Sequence, residues 1–90
     1  MFEVKTYKKI EKDTKDFHKN IKEKIKELIL VLHQNPVPRE KFDIIKIGGK
    51  DSFYRCRIGY SRTLYEVLWE EKVVQIIKVE RRDESTYKKI

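Results

Sequence analysis

The sequence predicts an α+β domain: an N-terminal strand and a helical hairpin packed on a mainly antiparallel, four-stranded meander sheet. Three observations carry that expectation. Apolar residues recur with a helical period over residues 8–33 and with a period of two after residue 38. The change falls at Asn35-Pro36-Val37-Pro38, where the prolines stop a helix. The links between the later apolar segments are short, which demands antiparallel neighbours.

Taken in order, Phe2, Val4 and Thr6 alternate with Glu3 and Lys5, the mark of a short strand. Phe17, Ile21, Ile25, Leu28 and Leu32 then draw one apolar stripe along a helix, and Ile29 and Leu30 widen it near the end. Lys15, Lys19, Lys22, Lys26 and Glu23 fall on the opposite face. Asp13 or Thr14 can cap a second helix, so a break near 13–15 turns the stretch into a hairpin. Strands are expected at 42–47, ended by Gly48-Gly49, and at 53–60, 63–70 and 72–79. Glu71-Lys72 is a tight turn without glycine, so its type stays open. The helical stripe needs a partner, and one face of this sheet is the only one available.

With 90 residues and 39% hydrophobic side chains, the chain supports one small core, and residues 1–90 are read as one domain. No apolar run approaches the roughly 18 residues that a membrane span needs. The charged start, residues 1–9, does not have the pattern of a secretory signal. The single cysteine, Cys56, excludes an internal disulfide and a cysteine-rich zinc site. A reducing, cytoplasmic setting without membrane contact is expected. No P-loop, GxGxxG, HExxH or metal-spaced His/Cys set occurs, so neither metal nor cofactor is expected. Cys56 reads as an inert core thiol, Trp69 as core or its edge, and His33 as a helix-end residue. Glu66, Glu70 and Glu71 are scattered, which argues against a two-metal nuclease.

Lys plus Arg number 22 and Asp plus Glu 15, a formal net charge of +7. Twelve of sixteen lysines lie in residues 1–50, whereas five of six arginines lie between 55 and 82. Lysine suits a solvated surface, and the guanidinium fork matches phosphate oxygens bidentately. Two readings stand: a polyanion partner, nucleic acid first among them, or charge serving solubility or thermal stability.

The period of two puts Tyr54, Cys56, Ile58 and Tyr60 on one strand face and Arg55 and Arg57 on the other, about 7 Å apart. That spacing is near that of successive phosphates on one nucleic-acid strand, and the arginine pair has no carboxylate beside it in sequence. If Thr63 pairs near Val79 across the turn at 70–72, Arg62 comes beside Arg81 or Arg82. Three distant segments then converge on one basic patch. Tyr87, with Lys88 and Lys89, reaches it if the tail folds back, either to stack on a base or to pack on the core edge.

The run Tyr54-Arg55-Cys56-Arg57-Ile58-Gly59-Tyr60-Ser61-Arg62-Thr63-Leu64-Tyr65-Glu66-Val67, then Glu70-Glu71-Lys72-Val73-Val74, then Val79-Glu80-Arg81-Arg82-Asp83 and Tyr87, resembles the RelE/ParE toxin superfamily. The likeness covers essentially the whole chain, and the RelE side fits better than the ParE side. It implies a RelE-like fold and metal-independent cleavage of mRNA in the ribosomal A site. It also implies neutralisation by a RelB-type antitoxin that wraps the toxin, and it allows a toxin–antitoxin heterotetramer.

By matched position the resemblance implies that Arg55 and Arg57 hold the RNA backbone, Arg62 contacts the scissile phosphate, and Arg82 stabilises its developing charge. Tyr87 then orients or stacks on the substrate, or acts as base. Arg57, Arg62, Arg82 and Tyr87 form the expected catalytic set; Arg55, Arg57, Lys50, Arg81, Lys88 and Lys89 form the expected RNA- and ribosome-contacting set. Ser61 stands between Tyr60 and Arg62 where relatives often join Tyr to Arg, so a bulge or a one-residue shift of Arg62 is expected there. An acidic antitoxin segment is expected in a groove between the helices and the sheet. The alternatives are a ParE-like inhibitor of DNA gyrase and a RelE-fold protein without catalytic activity.

Overall fold

The structure, a computed structural model, describes residues 1–48 and 52–82. Strand β1 (Glu3–Lys5) leads into helices α1 (Ile10–Thr14) and α2 (Lys19–Leu32), followed by β2 (Asp43–Lys46), β3 (Phe53–Ile58), β4 (Ser61–Leu68) and β5 (Val73–Arg81). The expected α+β class holds, and the meander β2–β5 is antiparallel throughout. The sheet has five strands and not four, because β1 pairs in parallel with β5 in the order β1-β5-β4-β3-β2. Its chain is tied down where it enters the sheet: Phe2 N–H donates to His33 O, and His33 Nδ1 lies 2.9 Å from Phe2 O.

The stripe packs as its spacing dictates. Phe17, Ile25, Leu28 and Leu32 are buried against Tyr54, Cys56, Ile58, Tyr65, Val67, Val74, Ile76 and Val79. Ile29 packs at the margin, but Leu30 is 69% exposed and does not widen the stripe, since the helical angle carries it past the core. The hairpin break falls later than expected. Thr14 is spent inside α1, donating to Ile10 O, and Asp13 accepts from the Tyr7 hydroxyl. His18 caps α2 instead, its Nδ1 accepting from Asn20 N–H.

Two turns set the strand register. Gly59-Tyr60 joins β3 to β4 with Gly59 at φ +57, a left-handed first turn residue that matches strand twist. The turn at Trp69–Lys72 closes with Lys72 at φ 57, a strained conformation for a side-chain-bearing residue. Trp69 sits at the edge, packed edge-on to Phe2 at 5.8 Å.

The expected irregularity at Ser61 is absent. The β3–β4 ladder runs without a break from Phe53↔Glu66 to Ile58↔Ser61, and the buried Ser61 hydroxyl donates to Ile58 O, closing the turn. The register shift lies between Leu64 and Tyr65 against β5. There the Tyr65 ring must stay in the core, where it stacks on Tyr54 and donates to Pro36 O.

Candidate nucleic-acid interface

The helices cover one sheet face, and among the described residues no element covers the other. Alternation decides what that open face carries. In β3, Tyr54, Cys56 and Ile58 are buried, so Arg55 and Arg57 point the other way. The register sets Arg57 directly opposite Arg62, and Arg62 directly opposite Glu80. Asp43 lies opposite Arg57 on β2. One row across four strands therefore reads Asp43–Arg57–Arg62–Glu80, and the next row reads Ile45–Arg55–Leu64–Lys78.

Like charges directly opposite one another destabilise a sheet. The flanking carboxylates offset this only in part. Arg57 Nε stands 3.6 Å from Asp43 Oδ2 and Arg62 Nε 3.7 Å from Glu80 Oε1, which are ion pairs at distances too long for hydrogen bonds. Lys78 Nζ holds the other Glu80 oxygen at 3.2 Å. The Arg57–Asp43 pair is well exposed and contributes little to stability. The Arg55/Arg57 pair is thus not free of carboxylates, as its sequence neighbours imply: cross-strand pairing brings Asp43 to Arg57 from 14 residues away, as it brings Glu80 to Arg62 from 18.

Three buried side-chain polar atoms lack a hydrogen-bond partner among the described residues: Arg55 Nε, Arg62 Nε and Thr63 Oγ1. Thr63 belongs to the helix-covered side. The other two are guanidinium donors of one open face, withdrawn from water and unspent. A buried donor left unpaired costs about 1–3 kcal/mol. Two such donors beside a third arginine make a ready site for an anion with several acceptor oxygens.

The β3–β4 register brings Arg55, Arg57 and Arg62 together, whereas the β4–β5 register, expected to bring Arg62 beside Arg81 or Arg82, sets it opposite Glu80. Thr63 pairs with Val79 as expected. Arg82 continues the ladder, its N–H donating to Tyr60 O, and alternation from Glu80 puts it on the open side. Arg81 does not join them. It pairs with Ser61, turns to the helix-covered side and lies 4.5 Å over the Tyr60 ring, because consecutive strand residues face opposite ways. Tyr60 is a structural hub there: its ring meets Phe17 edge-on, and its hydroxyl accepts from His18 N–H at the start of α2. Lys50, Tyr87, Lys88 and Lys89 lie outside the described residues.

The chain matches the family model described as "ParE toxin of type II toxin-antitoxin system, parDE" over residues 4–86. It belongs to this toxin family. The toxin is 46% identical over 87 residues to "Putative toxin RelE1" of Methanocaldococcus jannaschii, covering 97% of this chain and 96% of that one. Its fold matches the toxin–antitoxin complex of archaeal RelE and RelB from Pyrococcus horikoshii OT3, with a TM-score of 0.80, 36% identity, and 92% and 97% of the two chains covered. It also matches the RelB–RelE complex of Methanococcus jannaschii, with a TM-score of 0.74, 28% identity, and 97% and 99% covered. The resemblance to the RelE/ParE superfamily and the RelE-like fold are thereby borne out.

No described group of three or more His, Cys, Asp or Glu residues could hold a metal ion in the toxin. Burial, helped by the charge of Asp43, pushes the Cys56 thiol up to about 12, so no thiolate is available there. Burial likewise holds the Tyr65 phenol well above its usual range. Asp43 and Glu80 were missed as members of the site. Their signal lay in the register: once Thr63 faces Val79, Arg62 must face Glu80.

Proposed function

We propose that the toxin is a metal-independent endoribonuclease that cuts mRNA in the ribosomal A site and so stops translation. The observation that supports this reading is the open-face cluster of Arg55, Arg57 and Arg62, with two shielded guanidinium donors that make no hydrogen bond among the described residues. RNA carries its own nucleophile, the 2′-hydroxyl. An enzyme then works by holding the strand in line and stabilising negative charge on the phosphorus oxygens. Arg57 and Arg62, directly opposed, grip the non-bridging oxygens of one phosphate; Arg55, one strand repeat along, takes the next. Arg82 adds charge stabilisation from the end of β5, and Tyr87 orients the substrate. The names of the similar proteins fit a RelE-type toxin with a RelB-type antitoxin.

The antitoxin surface follows from a second feature. A groove of about 410 Å³ runs between α1 and α2, with Ile10, Ile25 and Ile29 on its walls and three lysines, Lys15, Lys22 and Lys26, against one acid, Glu11, around it. This groove offers a seat for the antitoxin within the helical layer, beside the helix–sheet groove named above. Apolar walls with a basic rim suit an amphipathic, acidic antitoxin segment.

The test is a translation mixture in which mRNA ends are mapped, run beside a gyrase supercoiling assay. Cuts that require ribosomes, and that vanish when the cognate antitoxin is added first, are expected. Blocked supercoiling with intact mRNA identifies a gyrase inhibitor, and neither effect identifies a fold without activity.

A further inference from the structure

Arginine stays protonated to pH values above ~12, so the cluster offers nothing to accept the proton of the attacking hydroxyl. We propose that Glu80 is the general base, taking the proton from the 2′-hydroxyl beside the phosphate held by Arg57 and Arg62. This rests on the RNA-cleaving reading above.

The placement is specific. Glu80 faces Arg62 directly across the β4–β5 ladder, on the open side of the sheet. Its Oε1 is 3.7 Å from Arg62 Nε, close enough to feel the charge and too far to be consumed by a hydrogen bond. Its Oε2 is anchored by Lys78 Nζ at 3.2 Å. One oxygen is therefore fixed while the other keeps lone pairs for an incoming hydroxyl. A 2′-oxygen sits on the ribose carbon next to the one bearing the scissile phosphate, so a base beside the phosphate's guanidinium is within reach of it. The side chain is 33% exposed, which leaves it open to a substrate yet held by its neighbours.

The charged groups paired with Glu80 are Arg62 from β4 and Lys78 from its own strand, and Arg82 follows just past the end of β5 on the same side. Strand β1 ends opposite Gln75 and sends none; beyond it, the Tyr7 hydroxyl is taken by Val79 N–H and Asp13. Of the other described proton acceptors, Glu66 shares the open face of β4 but lies four residues along from Arg62, opposite Gln75. Asp43 pairs with Arg57 on the edge strand, away from Arg62 and 63% exposed. His18 Nδ1 caps α2, and His33 Nδ1 is tied to Phe2 O. The Tyr60 hydroxyl is engaged with α2 on the covered side.

The step balances. The 2′-hydroxyl proton passes to the Glu80 carboxylate as the O2′–P bond forms and the P–O5′ bond breaks. The leaving 5′-oxygen takes a proton from water, and the hydroxide so formed is neutralised by the proton that Glu80 releases. The products are a 2′,3′-cyclic phosphate and a 5′-hydroxyl end.

The test is single-turnover cleavage on mRNA-programmed ribosomes, measured across pH for the wild type, Glu80→Gln and Glu80→Asp, with ribosome binding measured in parallel. Glu80→Gln is expected to cut about 10²–10⁴-fold more slowly and to lose the rise of rate with pH on the acid side. Its ribosome binding should stay within twofold. Glu80→Asp should keep that rise at a lower plateau, and it carries the test if the Gln variant does not fold. A Glu80→Gln rate within threefold of wild type overturns the proposal. So does a slow rate that keeps the acid-side rise, since Glu80 then only positions Arg62. A wild type that makes no cuts sinks the RNA-cleaving reading itself; cuts by wild type and Glu80→Gln alike sink Glu80 alone.

Discussion

Arg62→Ala is expected to lower the rate of ribosome-dependent mRNA cleavage by about 10²–10³-fold, the loss typical when one preorganised donor to a developing oxyanion is removed. Arg62 stands between Arg57 and Glu80 in the row across the sheet, and its Nε is one of the two shielded donors. Its removal also relieves the like-charge contact with Arg57, so the melting temperature should barely move. That separation makes the variant informative: a loss of activity without a loss of fold assigns a role in chemistry. Arg62→Lys keeps the charge but not the fork, and should recover only a small part of the rate. Toxicity in a growth assay should follow the same order. A fully active Arg62→Ala enzyme would remove this side chain from the mechanism.

Gly59→Ala is expected to lose about 2 kcal/mol of stability, or on the order of 10 °C in melting temperature. Two terms add. The residue sits at φ +57, where a β-carbon is strained by about 1–2 kcal/mol. A β-carbon there would also stand 2.8 Å from Ile21 Cδ1 and 3.2 Å from its Cγ1, so the end of the Ile21 side chain must shift, a small addition to the backbone cost. Gly48 is the natural control. Its φ is +66, but nothing lies within 4 Å of the position a β-carbon would take. Gly48→Ala therefore carries the backbone term alone. If the contact with Ile21 matters, Ile21→Val, which removes Cδ1, should recover part of the loss in the Gly59→Ala background. Thermal melts of the three variants decide this. Equal losses at Gly59 and Gly48 would show that the turn and the helix are not tightly coupled.

That coupling is why part of this molecule could be read from its sequence and part could not. The stripe of Phe17, Ile25, Leu28 and Leu32 and the alternation of Tyr54, Cys56 and Ile58 are local periodicities, and local periodicity survives folding when one face must be buried. Arg55 and Arg57 were placed on the open face by the same arithmetic. The pairing of Thr63 with Val79 followed from a short turn. What could not be read depends on partners distant in the chain. β1 joins β5 only because α2 delivers His33 to Phe2, a contact across 31 residues. The cap of α2 passed to His18, since Thr14 and Asp13 were taken by nearer partners.

The misplacement of Arg81 has a simpler cause. Adjacent arginines in a strand cannot share a face, so Arg81 and Arg82 could not both line the cluster. Asp43 and Glu80 are the reverse case: ordinary surface acids in sequence, they flank the opposed arginines once the strands are aligned. An acid at each end of the row confines the positive charge to its middle. This favours one phosphate between Arg57 and Arg62 and a backbone that runs along β3 toward Arg55.

The central claim is that Arg55, Arg57 and Arg62 form one phosphate-gripping surface, and its most direct measurement is an NMR titration of the arginine side-chain Nε–Hε signals. The ligand is a short single-stranded RNA, 2′-deoxy at its central residue so that it cannot be cut, added at low salt. The signals of Arg55 and Arg62, whose Nε atoms make no hydrogen bond among the described residues, should shift furthest, with Arg57 following and Arg39 and Arg81 unmoved. Shifts confined to Arg39 or Arg81, or none at Arg55 and Arg62 under saturating RNA, would contradict it.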